Sequence, residues 1–571
     1  MNVIKNSFNK KLTILALGMF AAFIAMGVQL FMLQVYFAHS FLELSQRNFL
    51  RTEYTTSPRG NILDCHGALL ATNRPVTDVY WQGTGNRTLH EAQLNALRKM
   101  SEITKKVLPL QHYIVHAERV CKKQLLVSDV TFEQLSKIIE LFPDHPNIYI
   151  ANHFKRFYPY KNVASHVLGY INTMALEASG QMGLEKLLEE TLQSQQGQVL
   201  NIINSLGTSL SQQEIKKTVA GQNIRTTLDL DLQMLAETSF PPGASGALII
   251  LNPKDGSIKA LLSRPAFDPT VFLEHIPPEQ WQSLQKGRPF INRAFNACYP
   301  PASIFKLITV SAALENNIIS PEETTYCPGF MRFKGRPYYC SKRDGHGHLT
   351  VLESLAKSCN ILFFKIAKKL SIDLLAQYAN KFGLGEKTGI IFNEHSGLVP
   401  NKTWKLVSKG EPWWPGETLS AAIGQSYLLV TPLQVSCLIS AIFEGYLVKP
   451  RILETETVLK RPLCVQPSTI AFLKEGMRDV GLHGTAVSVG KIKDIEIYAK
   501  TGTAQVSALD KKQLGPEYLE HAWFVAYFSY KQYEPLTLVI LIENAGSSKP
   551  ATDVARKLII EYKKLLERSA G

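Results

Sequence analysis

Cysteine is scarce, with eight residues in a chain of 571. That is too few for a disulfide scaffold, so the fold must rest on a hydrophobic core. Charge is modest as well: 19% of residues are charged against 45% hydrophobic, a balance that excludes a disordered, collagen-like or coiled-coil chain. A mean hydropathy of -0.03 excludes a polytopic membrane protein. No internal repeat or low-complexity linker stands out. Acidic side chains are in deficit, 48 Asp and Glu against 62 Lys and Arg, which leaves a formal charge of +14. Such an excess suits an anionic partner: nucleic acid, a membrane surface, or a polymer rich in carboxylate or phosphate. The length exceeds the single-domain range, so two or more domains are expected.

One long uncharged run is present, Leu12 to Phe37. As a helix its 26 residues span about 39 Å, against a hydrocarbon core of about 30 Å. Lys5, Lys10 and Lys11 precede it, which places that end in the cytoplasm and the remainder outside. A cleaved signal peptide is the alternative, but its apolar region spans only about 7–15 residues. The reading is therefore an uncleaved, single-pass signal-anchor. An exported body removes nucleic acid from the expected partners.

From about 38 to 235, short strand-like and helical runs alternate; Arg59 to Asp64 reads as a turn entering a strand and Gly183 to Glu190 as a helix. A break at Phe240-Pro241-Pro242-Gly243 precedes a buried strand, Ala247 to Leu251, and a hairpin partner, Ile258 to Leu262. Helices are expected over 304–315, 350–370 and 372–382. Strands are expected at Ile495–Thr503, Ala522–Tyr530 and Leu536–Ile542, and a closing helix at Ala551–Glu567. Strands at both ends with helices between them predict one large α/β or α+β domain over about 240–571.

Three motifs fall within that domain. Ser303-Ile304-Phe305-Lys306 follows Pro300 and Pro301, so Ser303 sits in a first helical turn with Lys306 one turn on, on the same face. A Ser hydroxyl needs a nearby base to become a nucleophile, and a desolvated neutral Lys can serve. Ser-x-x-Lys also occurs at Ser7, Ser283, Ser354 and Ser488, so the pair alone decides little. Ser358-Cys359-Asn360 lies 55 residues on; its Ser and Asn can both reach a cleft from a loop, although an isolated copy reads as a cap or turn. Lys500-Thr501-Gly502-Thr503 follows 142 residues later. A strand edge there offers a backbone N–H for an oxyanion, Gly502 clears space for substrate, and Lys500 and Thr501 can bind a carboxylate. Lys387-Thr388-Gly389 is a decoy for this last motif. The order and spacing of all three, behind an export anchor, match the signature of penicillin-binding proteins and class A β-lactamases.

Taken together, the chain resembles a class B penicillin-binding protein of the elongation type, penicillin-binding protein 2. Arg59-Gly60-Asn61-Ile62-Leu63-Asp64 with Gly67 and Leu70-Ala71, Arg156-Phe157-Tyr158-Pro159 with His166 to Tyr170, and Gly183-Leu184-Glu185 with Gly197 resemble the pedestal motifs of that class. Gly345-His346-Gly347, Pro412 to Gly416, Ile423 to Tyr427, Thr431 to Gln434, Ala499 to Gln505 and Glu543-Asn544 resemble the elongation type rather than the division type. Ala302 and Ser426 stand where the family usually has Gly, and Glu444-Gly445-Tyr446 where Asn-Gly-Gly is common. The resemblance implies an α+β multidomain chain: a cytoplasmic tail (1–11), a transmembrane anchor (12–37), an elongated mixed pedestal (38–235), and a transpeptidase domain (240–571) with an antiparallel sheet flanked by helices, like a serine β-lactamase. It implies a D,D-transpeptidase in which Ser303 attacks a stem peptide or a β-lactam and Lys306 takes its proton. Ser358, Asn360 and Lys500 assist, and Thr501, Gly502 and Thr503 line the carboxylate and oxyanion subsites. The implied partners are peptidoglycan stem peptides, β-lactams, the inner membrane, a membrane-embedded glycosyltransferase and other elongation proteins. A β-lactamase, a D,D-carboxypeptidase and a non-catalytic scaffold or sensor are the competing readings. The long pedestal, the anchor and the intact trio of motifs count against them.

Cys327, Cys340, His346 and Cys359 place four soft or borderline donors within 33 residues. Cys359, between two cleft-facing residues, points back toward the preceding segment. Three thiolates and one imidazole suit tetrahedral Zn²⁺, and some elongation-type relatives resemble this in placing metal ligands at corresponding points. A Cys327–Cys340 disulfide and unlinked core thiols are the alternatives. His348 is the less suitable imidazole.

Overall fold

The computed structural model describes residues 2–55, 57–172, 178–203, 209–274, 276–506 and 515–569. The chain folds as two compact units. The first comprises 1–59, 73–155 and 194–221; the second comprises 60–72, 156–193 and 222–571.

The first unit begins with the apolar run. Asn2–Phe31 is an α-helix that continues as a wider π turn to Tyr36. Residues Lys10–Tyr36 are long and apolar enough to cross a membrane, and the apolar side chains from Leu12 to Phe37 lie exposed. Farther on, the helices Glu91–Thr104, Gln111–Arg119 and Phe132–Leu141 follow a 3.6-residue apolar pattern and bury Leu97, Met100, Ile114 and Ile138 against Val79, Trp81 and Val127. Glu118 is fully buried here, with no cationic partner among the described residues. Burial alone would raise its pKa, but donors from Thr84, Trp81 and Gln93 outweigh it and hold the carboxyl below its ordinary value. Trp81 Nε1 and Asn147 Nδ2 donate to it at 2.8 and 2.9 Å.

The second unit is built on a five-stranded antiparallel sheet: β1 (Gly246–Leu251), β2 (Ile258–Arg264), β3 (Ile495–Ala504), β4 (His521–Tyr530) and β5 (Leu536–Ile542), in the order β2-β1-β5-β4-β3. β1 and β5 are buried on both faces, which is why they read as continuous apolar runs rather than alternating ones. The C-terminal helix Lys549–Ser569 and helix Leu230–Ser239 cover one face; the helical layer containing Lys306–Glu315, Asn360–Ala367 and Pro432–Glu444 covers the other. β3 is an edge strand, as the Lys500 motif requires.

Residues 60–71, 156–170 and 183–185 of the three motifs likened to the pedestal belong to this second unit, whereas Arg59 and Gly197 belong to the first. Arg156 Nε donates to Glu185 Oε1 at 2.7 Å and Arg156 Nη1 to the Gly60 carbonyl at 2.7 Å, while the Tyr158 hydroxyl reaches Glu185 at 3.2 Å. Arg156 and Glu185 are essentially sealed from solvent. Segments 60–72 and 156–193, expected within the 38–235 pedestal, thus pack with the residues that follow 222.

Two expected helices differ. The helix read over Gly183 to Glu190 is two short ones, Gly183–Leu187 and Glu189–Leu192, and the helix read over 350–370 is two helices, Val351–Ala356 and Asn360–Ala367. The second pair is separated at Ser358, whose φ of 53° is left-handed. A left-handed residue cannot continue a right-handed helix, and Cys359 becomes the N-cap of the second.

Candidate active site

Ser303 lies in a short 3₁₀ turn, Ala302–Phe305, that leads directly into helix Lys306–Glu315. Pro300 and Pro301 have no N–H to offer, so the approach to this turn is held by its neighbours. Tyr299 and Val430 exchange both backbone hydrogen bonds at 2.9 Å, Ala302 N donates to the Gly424 carbonyl at 2.9 Å, and Trp523 Nε1 donates to the Pro300 carbonyl at 3.0 Å. The Tyr299 hydroxyl donates to Glu543 at 2.6 Å, and Arg293 Nε holds the same carboxylate at 2.9 Å. Gly424 is required: a Cβ there would lie 2.0 Å from the Ala302 carbonyl oxygen. Ala302 and Ser426, the two positions where the family usually has Gly, both adopt positive φ, 49° and 71°.

The three motifs converge on the Ser358 hydroxyl. Lys306 Nζ donates to the Ser358 carbonyl at 2.8 Å and to Asn360 Oδ1 at 2.7 Å, and lies 3.2 Å from Ser358 Oγ. Lys500 Nζ approaches the same Oγ at 3.2 Å and donates to the Thr501 carbonyl at 3.1 Å. Both lysines are completely buried. Burial pushes Lys306 down to about 8, and burial together with the nearby Lys306 charge pushes Lys500 well below the usual lysine range. Two amines sharing one hydroxyl cannot both carry a proton cheaply. A neutral Lys306 has two N–H groups, which Ser358 O and Asn360 Oδ1 accept, and one free lone pair. Gly502 lies on the edge strand opposite Trp523, and a Cβ there would come within 3.4 Å of Ala302 Cβ. Thr501 Oγ1 pairs with Thr485 Oγ1, and Thr503 is exposed at the end of the same strand.

Directly behind Ser358–Asn360 lies the cysteine cluster. Two short hairpins build it: Thr324–Cys327 pairs with Gly347–Thr350, and Phe330–Phe333 pairs with Arg336–Tyr339. Cys340 Sγ is 3.5 Å from His346 Nδ1 and 3.9 Å from Cys359 Sγ; Cys327 Sγ is 3.6 Å from His346 Nδ1. All four donor atoms lie within 4.8 Å of one another. A tetrahedral Zn²⁺ bonded at about 2.3 Å to sulfur and 2.0–2.1 Å to nitrogen separates its donors by about 3.5–3.8 Å, so the donor set and its spacing fit that ion. The Cys327–Cys340 disulfide is not formed; both are free thiols. His348 faces outward against the Tyr326 ring instead. Hydrogen bonds from Cys359 Sγ and the Asn360 N–H hold the Cys340 thiol down, and the same contact pushes Cys359 up. The cluster is thereby wired to Asn360, whose N–H contacts Cys340 Sγ at 3.4 Å.

The sequence reading did not select Tyr299, Arg293 or Trp523. Their signal was indirect: two consecutive prolines before Ser303 imply that outside donors hold the loop. The decoy Lys387-Thr388-Gly389 sits elsewhere, its Thr388 hydroxyl and Gly389 N–H both donating to buried Glu394 at 2.7 Å.

An antiparallel sheet with Ser303, Lys306, Ser358, Asn360 and Lys500 gathered at its edge defines a serine acyltransferase of the penicillin-interacting kind. The penicillin binding protein transpeptidase domain model matches residues 246–560 and the penicillin-binding protein dimerisation domain model matches 54–226, and the chain belongs to this family. It is 28% identical to the peptidoglycan D,D-transpeptidase MrdA of Haemophilus influenzae, over 98% of this chain and 92% of that protein. Among solved structures, penicillin-binding protein PBP2 in complex with MreC from Helicobacter pylori superposes with a TM-score of 0.77 at 26% identity, covering 91% of this chain and 99% of that one. A structure of a peptidoglycan synthase complex, described as coordinating polymerization and crosslinking, gives 0.75 at 29% identity and covers 96% and 97%.

Proposed function

We propose that this chain is an elongation-type peptidoglycan D,D-transpeptidase. The observation that carries the reading is the meeting of Lys306, Lys500 and Asn360 around Ser358, with Lys306 itself one helical turn on from Ser303. Ser303 Oγ attacks the carbonyl of the penultimate D-Ala of a stem peptide while Lys306, entering neutral, takes the hydroxyl proton. The N–H groups of Ser303 and Thr503 receive the developing oxyanion. The proton passes through Ser358 to the departing D-Ala, with Lys500 on the other side of that hydroxyl. Lys500, Thr501 and Thr503 bind the terminal carboxylate, and Asn360 orients the peptide. An amine from a second stem then takes the acyl group from Ser303 and completes the cross-link. A β-lactam enters the same first step and remains on Ser303.

Cys327, Cys340, His346 and Cys359 are the residues that would hold Zn²⁺, whose contribution there is structural. With or without it, these side chains tie the two hairpins to the backbone of Asn360. The relatives solved with MreC and within a peptidoglycan synthase complex support partners of the same kind for this chain. The helix at Lys10–Tyr36 supports a single-pass anchor, and the lysines before it support a body outside the cytoplasm.

Labelling with a fluorescent penicillin tests the reading. Wild-type protein acquires one adduct per chain on the Ser303 peptide. Ser303→Ala loses labelling by several orders of magnitude in rate with an unchanged thermal transition. An adduct on Ser354 or Ser488 would overturn the assignment.

A further inference from the structure

We propose a second cation site, made by Cys65, His66 and Asp229, that takes a borderline divalent metal such as Zn²⁺. These three residues lie in the second unit, apart from the Cys327–Cys359 cluster, and no step of the transpeptidation uses them. Their donor atoms, one thiol sulfur, one imidazole nitrogen and one carboxylate oxygen, all lie within 4.8 Å of one another. His66 Nε2 stands 3.4 Å from Asp229 Oδ2, the spacing two donors adopt on a tetrahedral ion with bonds of about 2.0–2.1 Å.

The donors are held by backbone rather than left on a loose loop. Asp64 Oδ1 accepts the N–H groups of His66 and Ala68 at 2.9 and 2.7 Å, which closes the turn that carries Cys65 and His66. Asp64 Oδ2 accepts Leu230 N at 3.2 Å, and Cys65 N donates to the Leu228 carbonyl at 2.8 Å. The turn is thus stitched on both sides of Asp229. Asp229 itself divides its two oxygens: Oδ1 caps helix Leu230–Ser239 by accepting Leu232 N at 3.1 Å, and Oδ2 faces His66. Cys65 is half-buried and the His66 side chain largely exposed, so an ion can reach the donors from solvent.

Three protein ligands leave one position of a tetrahedron to water. Binding exchanges the thiol proton for the metal, and that proton leaves to solvent. The bound ion would clip residues 64–66 to the start of helix Leu230–Ser239, which packs on β2. A metal that binds the folded unit alone stabilises it by mass action.

The test is a subtraction on full-length protein in detergent, loaded with Zn²⁺, freed of excess ion and analysed for metal per chain. Cys65→Ser, His66→Ala and Asp229→Asn are compared with wild type; Asn retains the helix cap, so the last variant separates ligation from folding. Wild type is expected to hold one more equivalent than each variant, whether or not the Cys327–Cys359 cluster is loaded. Zn²⁺ affinity at that equivalent should fall at least about tenfold on loss of one ligand. Penicillin acylation should be unchanged, so failure here is distinguishable from failure of the transpeptidase reading. Equal metal content in wild type and Asp229→Asn would overturn the site.

Discussion

Lys306 is the residue on which the chemistry turns. Buried, and presented with a carbonyl and an amide oxygen, it is pushed down to about 8. Only its neutral form can take a proton from Ser303, so acylation should rise about tenfold per pH unit below that value and level off above it. The second-order rate of penicillin labelling across the neutral and mildly alkaline range measures this. A flat profile would remove Lys306 as the base. Lys306→Ala should abolish acylation, whereas Lys500→Ala should chiefly weaken capture of the carboxylate and keep the rise with pH. No motif alone singled out Ser303, Lys306, Ser358, Asn360 or Lys500, since each has decoys or a plain structural reading; their joint order and spacing, matched to a family signature, drew them together. Order and spacing could not select Cys65 and Asp229, 164 positions apart in sequence; only tertiary folding brings them together. Nor could composition reveal that Ala302 and Ser426 keep a left-handed backbone, which costs each of them about 1–2 kcal/mol relative to glycine.

Among the elements, the hairpins around Cys327 and Cys340 carry a second expectation. If the cluster holds Zn²⁺, purified protein contains the ion, a strong chelator lowers its melting temperature, and Cys340→Ser and Cys359→Ser lose both the metal and the chelator response. Full activity and an unmoved transition in metal-free protein would leave these thiols a purely packed role. The Arg156–Glu185 pair makes a stronger structural demand. Arg156→Ala takes the guanidinium away from a buried carboxylate that keeps the Tyr158 hydroxyl and should cost about 3–5 kcal/mol, read as a large fall in the melting temperature of the second unit. Regular elements with one clear period were legible: β1, β5 and the C-terminal helix lie where their apolar patterns place them. The interruption at Ser358 was not, because apolar residues continue on both sides of it and the turn exists to aim a hydroxyl, not to bury one.

For the whole molecule, the anchor makes a direct prediction. The protein should fractionate with the inner membrane and retain residues 1–37; a mature N-terminus near residue 38 would show cleavage instead. The assignment of 60–72 and 156–193 to the second unit was not legible, since contiguous sequence is a poor guide when a chain crosses between units several times. The pairing of β1 with β5 reaches further still. Gly246 lies opposite Ile542 and Leu251 opposite Thr537, so the centre of the sheet joins segments almost 300 residues apart. Contacts of that span are slow to form. During synthesis, β1 and β2 emerge as a lone hairpin whose central edge has no neighbour until nearly the entire chain has been made. The nascent protein therefore passes through a long interval of aggregation risk, and a ribosome stalled before residue 536 yields a chain with every catalytic side chain present but with its sheet in two hairpins, β1–β2 and β3–β4, that lack the strand joining them.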